Sequence, residues 1–410
     1  VQSELGTFTI PVDLQASRTL KPKEHIRSTW MEKTLLYLST VDTYRVIPKV
    51  LEELMFTDEG EAISPSTLQG FLVSRGKGLY TKMKGDAMRT LEAAGYDPDD
   101  GSPLPQTAEG CVPREWDLEG KEEIISAAEG YNKGKKDTRE RIKDLGRMAD
   151  VESRDPDSSV KITIDGVLIL KQKEHRGTPR KGGRAFHEIV NVHIRHGEYV
   201  HAIPAKCLDD AMAMLTSDLV RSGLMDRRLV FITDGQRSIA TAIERNFGHI
   251  GYDHYIDWYH LRDTVYDAVR SDFVGTKDEK EGLARKICSM LWAGNPDDAL
   301  EYITGIPDEK YRKGYMGRLT TYIENKKDKI PCFALRKLLG LHTSSNEVEM
   351  TNDEFVSTRE KGKGMSWSHY GGLAIAAFKS LFYNETIDEY IEKGSLPVGF
   401  VRREAHIAAA

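Results

Sequence analysis

The sequence predicts an α/β fold: a mixed sheet interrupted by a helical insertion and preceded by a mainly helical region. Three observations predict it. Two segments between Ser158 and Ile203 alternate polar and apolar residues with the two-residue period of strands. From Leu208 to Tyr259 helix-like and strand-like segments take turns, the pattern of a sheet with packed helices. From Leu261 to about Leu341 helical spacing recurs without a convincing strand, as in ARKICSMLW, DDALEYI and YMGRLTTYIENKK.

The elements follow in order. Between Ser28 and Glu59, Leu35, Leu38, Val41, Tyr44, Ile47 and Leu51 recur at three or four, giving two helices meeting near Pro48 or one kinked there. Ser64 or Ser66 could cap a short helix, and a turn at Arg75-Gly-Lys-Gly leads to another from about Leu79. Two short helices about a turn suit a helix-turn-helix or an ordinary helical hairpin. The Pro, Gly and Asp between Asp97 and Arg114 read as a linker, and a charged helix is expected from Glu119 to Ala149.

VKITIDGVLIL puts Val160, Ile162 and Ile164 on one face and Lys161, Thr163 and Asp165 on the other, a half-buried strand. AFHEIVNVHIRHGEYVHAI alternates again and is expected to pair antiparallel. Then come a helix (Leu208 to Ser222), a strand (Leu229 to Thr233), a helix (Gln236 to Asn246), a strand (Tyr252 to Ile256) and a helix from Tyr259. A helix starting around Asn346, the turn REKGKGMSW and a last helix through LAIAAFKSLF end the pattern.

With 410 residues, 39% hydrophobic and 30% charged, the chain is long enough for two or three domains. No apolar run reaches about 18 residues and the first thirty lack a signal-peptide pattern, so a soluble cytoplasmic protein is expected. Cys111, Cys207, Cys288 and Cys332 are far apart without a CxxC, and read as reduced and structural. A formal net charge of −6 argues mildly against nucleic-acid binding, although distribution matters more than the total.

Asp165 lies on a strand, Asp234 follows VFIT and Asp257 follows YDHYI. Carboxylates gathered at strand ends suit hard divalent cations, because a buried carboxylate is costly unless compensated. Aspartate after a strand is also a common turn former, and Asp234-Gly235 has that appearance.

The run ITDGQRSIATAIERNFGHIGYDHYIDWYHL resembles the second-aspartate block of DDE transposases, with its Asp-x-x-His signature at Asp257-Trp258-Tyr259-His260. SSNEVEMTNDEFVSTREKGKGMSWSHYGG resembles the third-acid block of one prokaryotic insertion-sequence group. Glu349, Arg359, Lys363, Met365, Trp367 and Ser368 match that block in register; Lys363 replaces its usual Arg and Gly364 its Pro. The match selects Glu349 over Glu347 and Glu354. It implies an RNase H-like core whose catalytic and metal-binding acids are Asp165, Asp234 and Glu349, using two Mg2+ or Mn2+ ions for cleavage and 3′-hydroxyl strand transfer of double-stranded DNA, in a homodimer or higher oligomer. The intervals between these acids, 69 and 115 residues, leave room for the helical insertion.

The chain divides accordingly into a mainly helical region (1–157) expected to bind DNA or oligomerise, the first part of the core (158–260), the insertion (261–341) and the rest of the core (342–410). Asp257, His260 and Asn346 are candidates for supporting the acids or touching DNA; a helix-capping Asp257 with a packed His260 is the plainer alternative. Between Lys171 and Arg195 stand seven Lys or Arg against two Glu, with His175, His187 and His193 besides. Lys171, Lys173, Arg176, Arg180, Lys181 and Arg184 are therefore candidates for phosphate contact, joined by Arg359, Lys361, Lys363 and Trp367. A non-cleaving DNA-binding descendant, or a metal-independent hydrolase using Asp165 and Asp234, are the alternative functions.

Overall fold

The structure, a computed structural model, describes residues 2–3, 6–7, 29–55, 63–109, 111, 121–145, 159–173, 184–312, 314–361 and 365–403. Its centre is a six-stranded mixed sheet of β1 (Ser159–Leu170), β2 (Phe186–His196), β3 (Tyr199–Ala205), β4 (Arg228–Thr233), β5 (Asp253–Ile256) and β6 (Val401–Arg402). Across the sheet the order is β5, β4, β1, β2, β3, β6. β1, β2, β3 and β6 pair antiparallel in succession, whereas β4 runs parallel to β1 and β5 parallel to β4. The antiparallel connection from β2 to β3 is a tight turn containing Gly197 at φ 59°, which a side chain would disfavour. The parallel strands need crossovers, supplied by α6 (Leu208–Arg221) and α7 (Arg237–Phe247).

Each face of the sheet is covered. Val160, Ile162, Ile164, Val190, Val192 and Ile194 pack with Met212, Leu215, Ile243 and Phe247 of the crossover helices. On the opposite face Val167, Ile169 and Ile189 join a core with Leu35, Leu72 and Phe378. Burying such a side chain contributes roughly 1.5–3 kcal/mol, so these two layers fix the strand register.

The region before the sheet is mainly helical where described, apart from the antiparallel pairing of Gln2–Ser3 with Gly6–Thr7. α1 (Thr29–Val41) and α2 (Ile47–Met55) are separate helices, with Pro48 in the first turn of the second, where its missing N–H costs nothing. α3 (Pro65–Ala94) is one continuous helix, so the expected turn at Arg75-Gly-Lys-Gly is absent and the helix-turn-helix expectation is corrected. Ser64 caps it as expected, accepting from the Thr67 N–H. Gly76 is there for packing: a Cβ on it would lie 2.1 Å from Cβ of Ala374 in the later helix His369–Tyr383, so only glycine allows the approach. The expected linker contains α4 (Pro105–Glu109). The expected charged helix is shorter, α5 (Lys121–Lys133), and stops before Gly134.

After β5 the chain forms α8 (Trp258–Asp272), α9 (Lys277–Trp292), α10 (Pro296–Thr304), α11 (Tyr315–Lys326) and α12 (Phe333–Leu338). Leu261, Val265, Ile287, Leu291, Leu319 and Ile323 give this insertion its own core. α13 (Asn346–Asn352) continues through a π-helical turn (Asp353–Ser357) to Glu360, and α14 (His369–Tyr383) and α15 (Ile387–Lys393) complete the helices. Among the described residues no helix is long and apolar enough to cross a membrane. All four cysteines are free.

Candidate active site

The pairing of the parallel strands aligns the aspartates. Thr163 of β1 is level with Ile232 of β4, which is level with Tyr255 of β5. Two residues further along each chain, the same register sets Asp165, Asp234 and Asp257 in a row across three neighbouring strands. Adjacent strands lie about 4.8 Å apart, so neighbours in this row are within reach of one another.

Their local bonds differ. Oδ1 of Asp165 accepts from the Gly166 N–H at 2.8 Å, and Oδ2 from Nδ2 of Asn352 at 2.6 Å. Asp234 does form the turn its sequence suggested, Oδ1 accepting from the Gln236 N–H at 2.7 Å with Gly235 at φ 82°. Asp257 is fully buried and caps α8, Oδ1 accepting from the His260 N–H at 2.8 Å. Its Oδ2 accepts from both the N–H of Ser345 and, at 3.0 Å, the Ser345 hydroxyl.

That last pair brings in the third acid. Ser345 stands just before α13, and the Trp258 N–H donates to the Thr343 carbonyl at 3.1 Å, so the insertion's two ends are fastened beside the row of aspartates. α13 then crosses β1 and β2, and the polar face of β1, expected at the solvent, is buried beneath it. Glu347 points inward, pairing with Lys161 and, at 2.5 Å, with Arg195. Burial pushes the Glu347 carboxyl up, but Lys161, His193, His342 and Arg195 outweigh it and hold it below the usual range. One turn on, Asn352 bonds Asp165 and accepts from Asn191 at 2.6 Å. Glu349, on the exposed side, faces Nε2 of His260 at 3.3 Å.

Burial raises the Asp165 carboxyl, and the charges of Asp234 and Glu349 raise it further while His260 opposes them. The hydrogen bond to Glu349, reinforced by the charges of Asp257, Glu349 and Asp234, lifts His260 to about 9. A protonated imidazole thus stands among four carboxylates at neutral pH. Oxygen donors with surplus negative charge suit Mg2+ or Mn2+ in chemistry. As the side chains stand, no group of three or more His, Cys, Asp or Glu among the described residues could hold a metal ion, and Glu349 is turned to His260.

Other candidates fare differently. Asp257 is internal and holds the scaffold rather than touching DNA. Asn346 lines an open cavity of about 340 Å³ with Arg195, Glu347 and Tyr383. Arg359 and Trp367, expected at DNA, are buried: the guanidinium packs against the rings of Tyr44 (5.4 Å) and Trp367 (5.0 Å), which meet edge-to-face, and the indole N–H donates to the Glu360 carbonyl at 3.1 Å. Of the basic strip, Lys171, Lys173 and Arg184 are exposed, as is Lys361, whereas His193 and Arg195 are buried under α13. His175, Arg176, Arg180, Lys181 and Lys363 lie outside the described residues.

Asn352, Lys161 and Asn191 were not singled out as site residues. Their signal was present: polar residues occur at alternate positions of both β1 and β2, and the paired sets Lys161/Arg195, Thr163/His193 and Asp165/Asn191 share one face. Two matched polar rows indicate a covered polar layer rather than solvent. No protein-family model, curated protein or solved structure matches the chain.

Proposed function

We propose that the protein is a metal-dependent DNA strand-transfer enzyme of the DDE transposase kind, with an RNase H-like core and Asp165, Asp234 and Glu349 as its acids. The observation that carries this reading is the parallel register Thr163↔Ile232, which brings Asp165 of β1 beside Asp234 just past the end of β4, with α13 fastened so that Glu349 acts on the same charge cluster. The resemblance names these three acids, and the electrostatic action of Asp234 and Glu349 on Asp165 supports that reading.

Asp165, Asp234 and Glu349 would hold two divalent ions, Glu349 leaving His260 to do so. Bound there, such ions activate the attacking oxygen and stabilise the leaving oxygen of an in-line phosphodiester displacement. The chain's own contribution is positional. Asn352 orients the Asp165 carboxylate, Asp257 fixes the start of the helix carrying Glu349, and His260 offsets charge beside it. No covalent protein nucleophile is needed. Nicking of supercoiled plasmid in Mg2+, abolished by EDTA, tests the reading; activity indifferent to EDTA would instead favour a metal-independent hydrolase.

A further inference from the structure

At the start of α14 the ring of Tyr370 is 40% exposed and carries two ammonium groups: Nζ of Lys77 at 5.3 Å and Nζ of Lys206 at 5.6 Å from its centroid. The lysines come from α3 and from the loop after β3, so the fold gathers like charges from distant parts of the chain. Nearby acids are engaged elsewhere: Asp210 accepts from Tyr80 (2.6 Å) and Lys84 (2.8 Å), and Asp209 from Arg245 (2.9 Å). Beside Tyr370, the His369 imidazole stacks on His187 with centroids 4.6 Å apart and planes 9° from parallel. Nε2 of His369 donates to the Glu188 carbonyl at 3.2 Å, which fixes the stack on the sheet. Burial, joined by the charge of Lys206 on His369 and of Lys171 on His187, holds both imidazoles below the usual histidine range, so the pair contributes aromatic surface and the lysines the charge. The result is a continuous basic and aromatic strip running from Lys77 through Tyr370, Lys206 and the histidine pair to Lys171.

We infer that this strip docks the phosphate backbone of duplex DNA flanking the acid cluster, an inference that rests on the strand-transfer reading. Cations converging on an exposed tyrosine suit a polyanion, to which the lysines offer charge and the phenol a hydrogen-bond donor. Placement agrees. Asp165 and Lys171 fall on the same face of β1, six residues apart, which is about 20 Å at roughly 3.3 Å per residue. That span corresponds to about six base pairs of duplex.

Anisotropy titration of a labelled random 30-base-pair duplex against the full chain tests this, with the K77A/K206A/Y370A triple variant and K393A as a surface control. The triple variant should bind at least tenfold more weakly at low salt, melt like wild type, and show a salt slope shallower by up to about 0.9 per lost phosphate contact. K393A should match wild type. Equal binding by wild type and triple variant overturns the strip while leaving the strand-transfer reading standing. Absence of duplex binding by wild type overturns both.

Discussion

Asp257 joins two helices through one carboxylate: Oδ1 accepts from the His260 N–H that opens α8, and Oδ2 from the N–H and hydroxyl of Ser345 at the start of α13. The helical insertion leaves and returns at this point. Asp257→Ala removes a helix cap, worth about 1 kcal/mol, and strands buried donors at about 1–3 kcal/mol. Denaturant unfolding should therefore show a loss of roughly 2–4 kcal/mol. Cleavage per folded molecule should fall as well, because Glu349 loses its anchor. Unchanged cleavage by the folded fraction would reduce Asp257 to a structural cap.

Asn352 donates to Asp165 at 2.6 Å and accepts from Asn191 at 2.6 Å, so it sets the orientation of a proposed ligand. Groups that orient metal ligands typically control affinity by about 10–100-fold. Asn352→Ala should raise the Mg2+ concentration needed for half-maximal nicking by that order while sparing duplex binding. A Mg2+ dependence identical to wild type would remove Asn352 from the site.

Glu360 is 1% exposed, and burial pushes its carboxyl up to about 8 against the opposing charges of Lys379 and Arg359. In the unfolded chain it ionises near 4.5. Between these values the native state holds the extra proton, so this contribution to stability is complete at low pH and is lost as pH rises toward 8. Glu360→Gln should flatten the pH dependence of unfolding by up to about 1.4 kcal/mol per pH unit and be the more stable form at pH 8. Parallel curves for the two proteins would show that Glu360 is ionised in the native state.

Gly76 and Gly78 lie two residues apart in α3 and should respond oppositely to alanine. A Cβ at Gly76 meets Cβ of Ala374 at 2.1 Å, whereas nothing lies within 4 Å of one at Gly78. Gly78→Ala should stabilise by about 0.5–1 kcal/mol through helix propensity, and Gly76→Ala should destabilise by about 1–3 kcal/mol through overpacking. Adding Ala374→Gly to Gly76→Ala should restore only part of the loss, because Cα of residue 374 still lies 2.7 Å from the new Cβ. Equal effects at both positions would contradict the close helix packing.

These cases show what was legible in the sequence. The alternation of strands and helices between Ser159 and Asp272 followed from apolar patterning, by period in β1 and β2 and by a continuous apolar run in β4, because each element buries apolar side chains in the sheet's core. Asp165 and Asp234 could be singled out because both lie on or just beyond apolar strand segments. The turn expected at Gly76 was misread because the need for glycine comes from Ala374, far away in sequence. Arg359 and Trp367 resembled DNA contacts because a ring that helps bury them, Tyr44, belongs to the N-terminal region. The burial of Lys161 and Arg195 depends on Glu347 arriving from α13 with compensating charge, which neither strand's own pattern reveals.

Joint action of Asp165, Asp234 and Glu349 as metal ligands is the core of the proposed function. Its most direct test is Mg2+-dependent plasmid nicking, with duplex affinity measured alongside, for Asp165→Asn, Asp234→Asn and Glu349→Gln beside the control Glu354→Gln. Each of the first three should lose at least a hundredfold in nicking while binding duplex and melting like wild type, and Glu354→Gln should keep wild-type nicking. Robust Mg2+-dependent nicking by any of the first three would contradict the shared site.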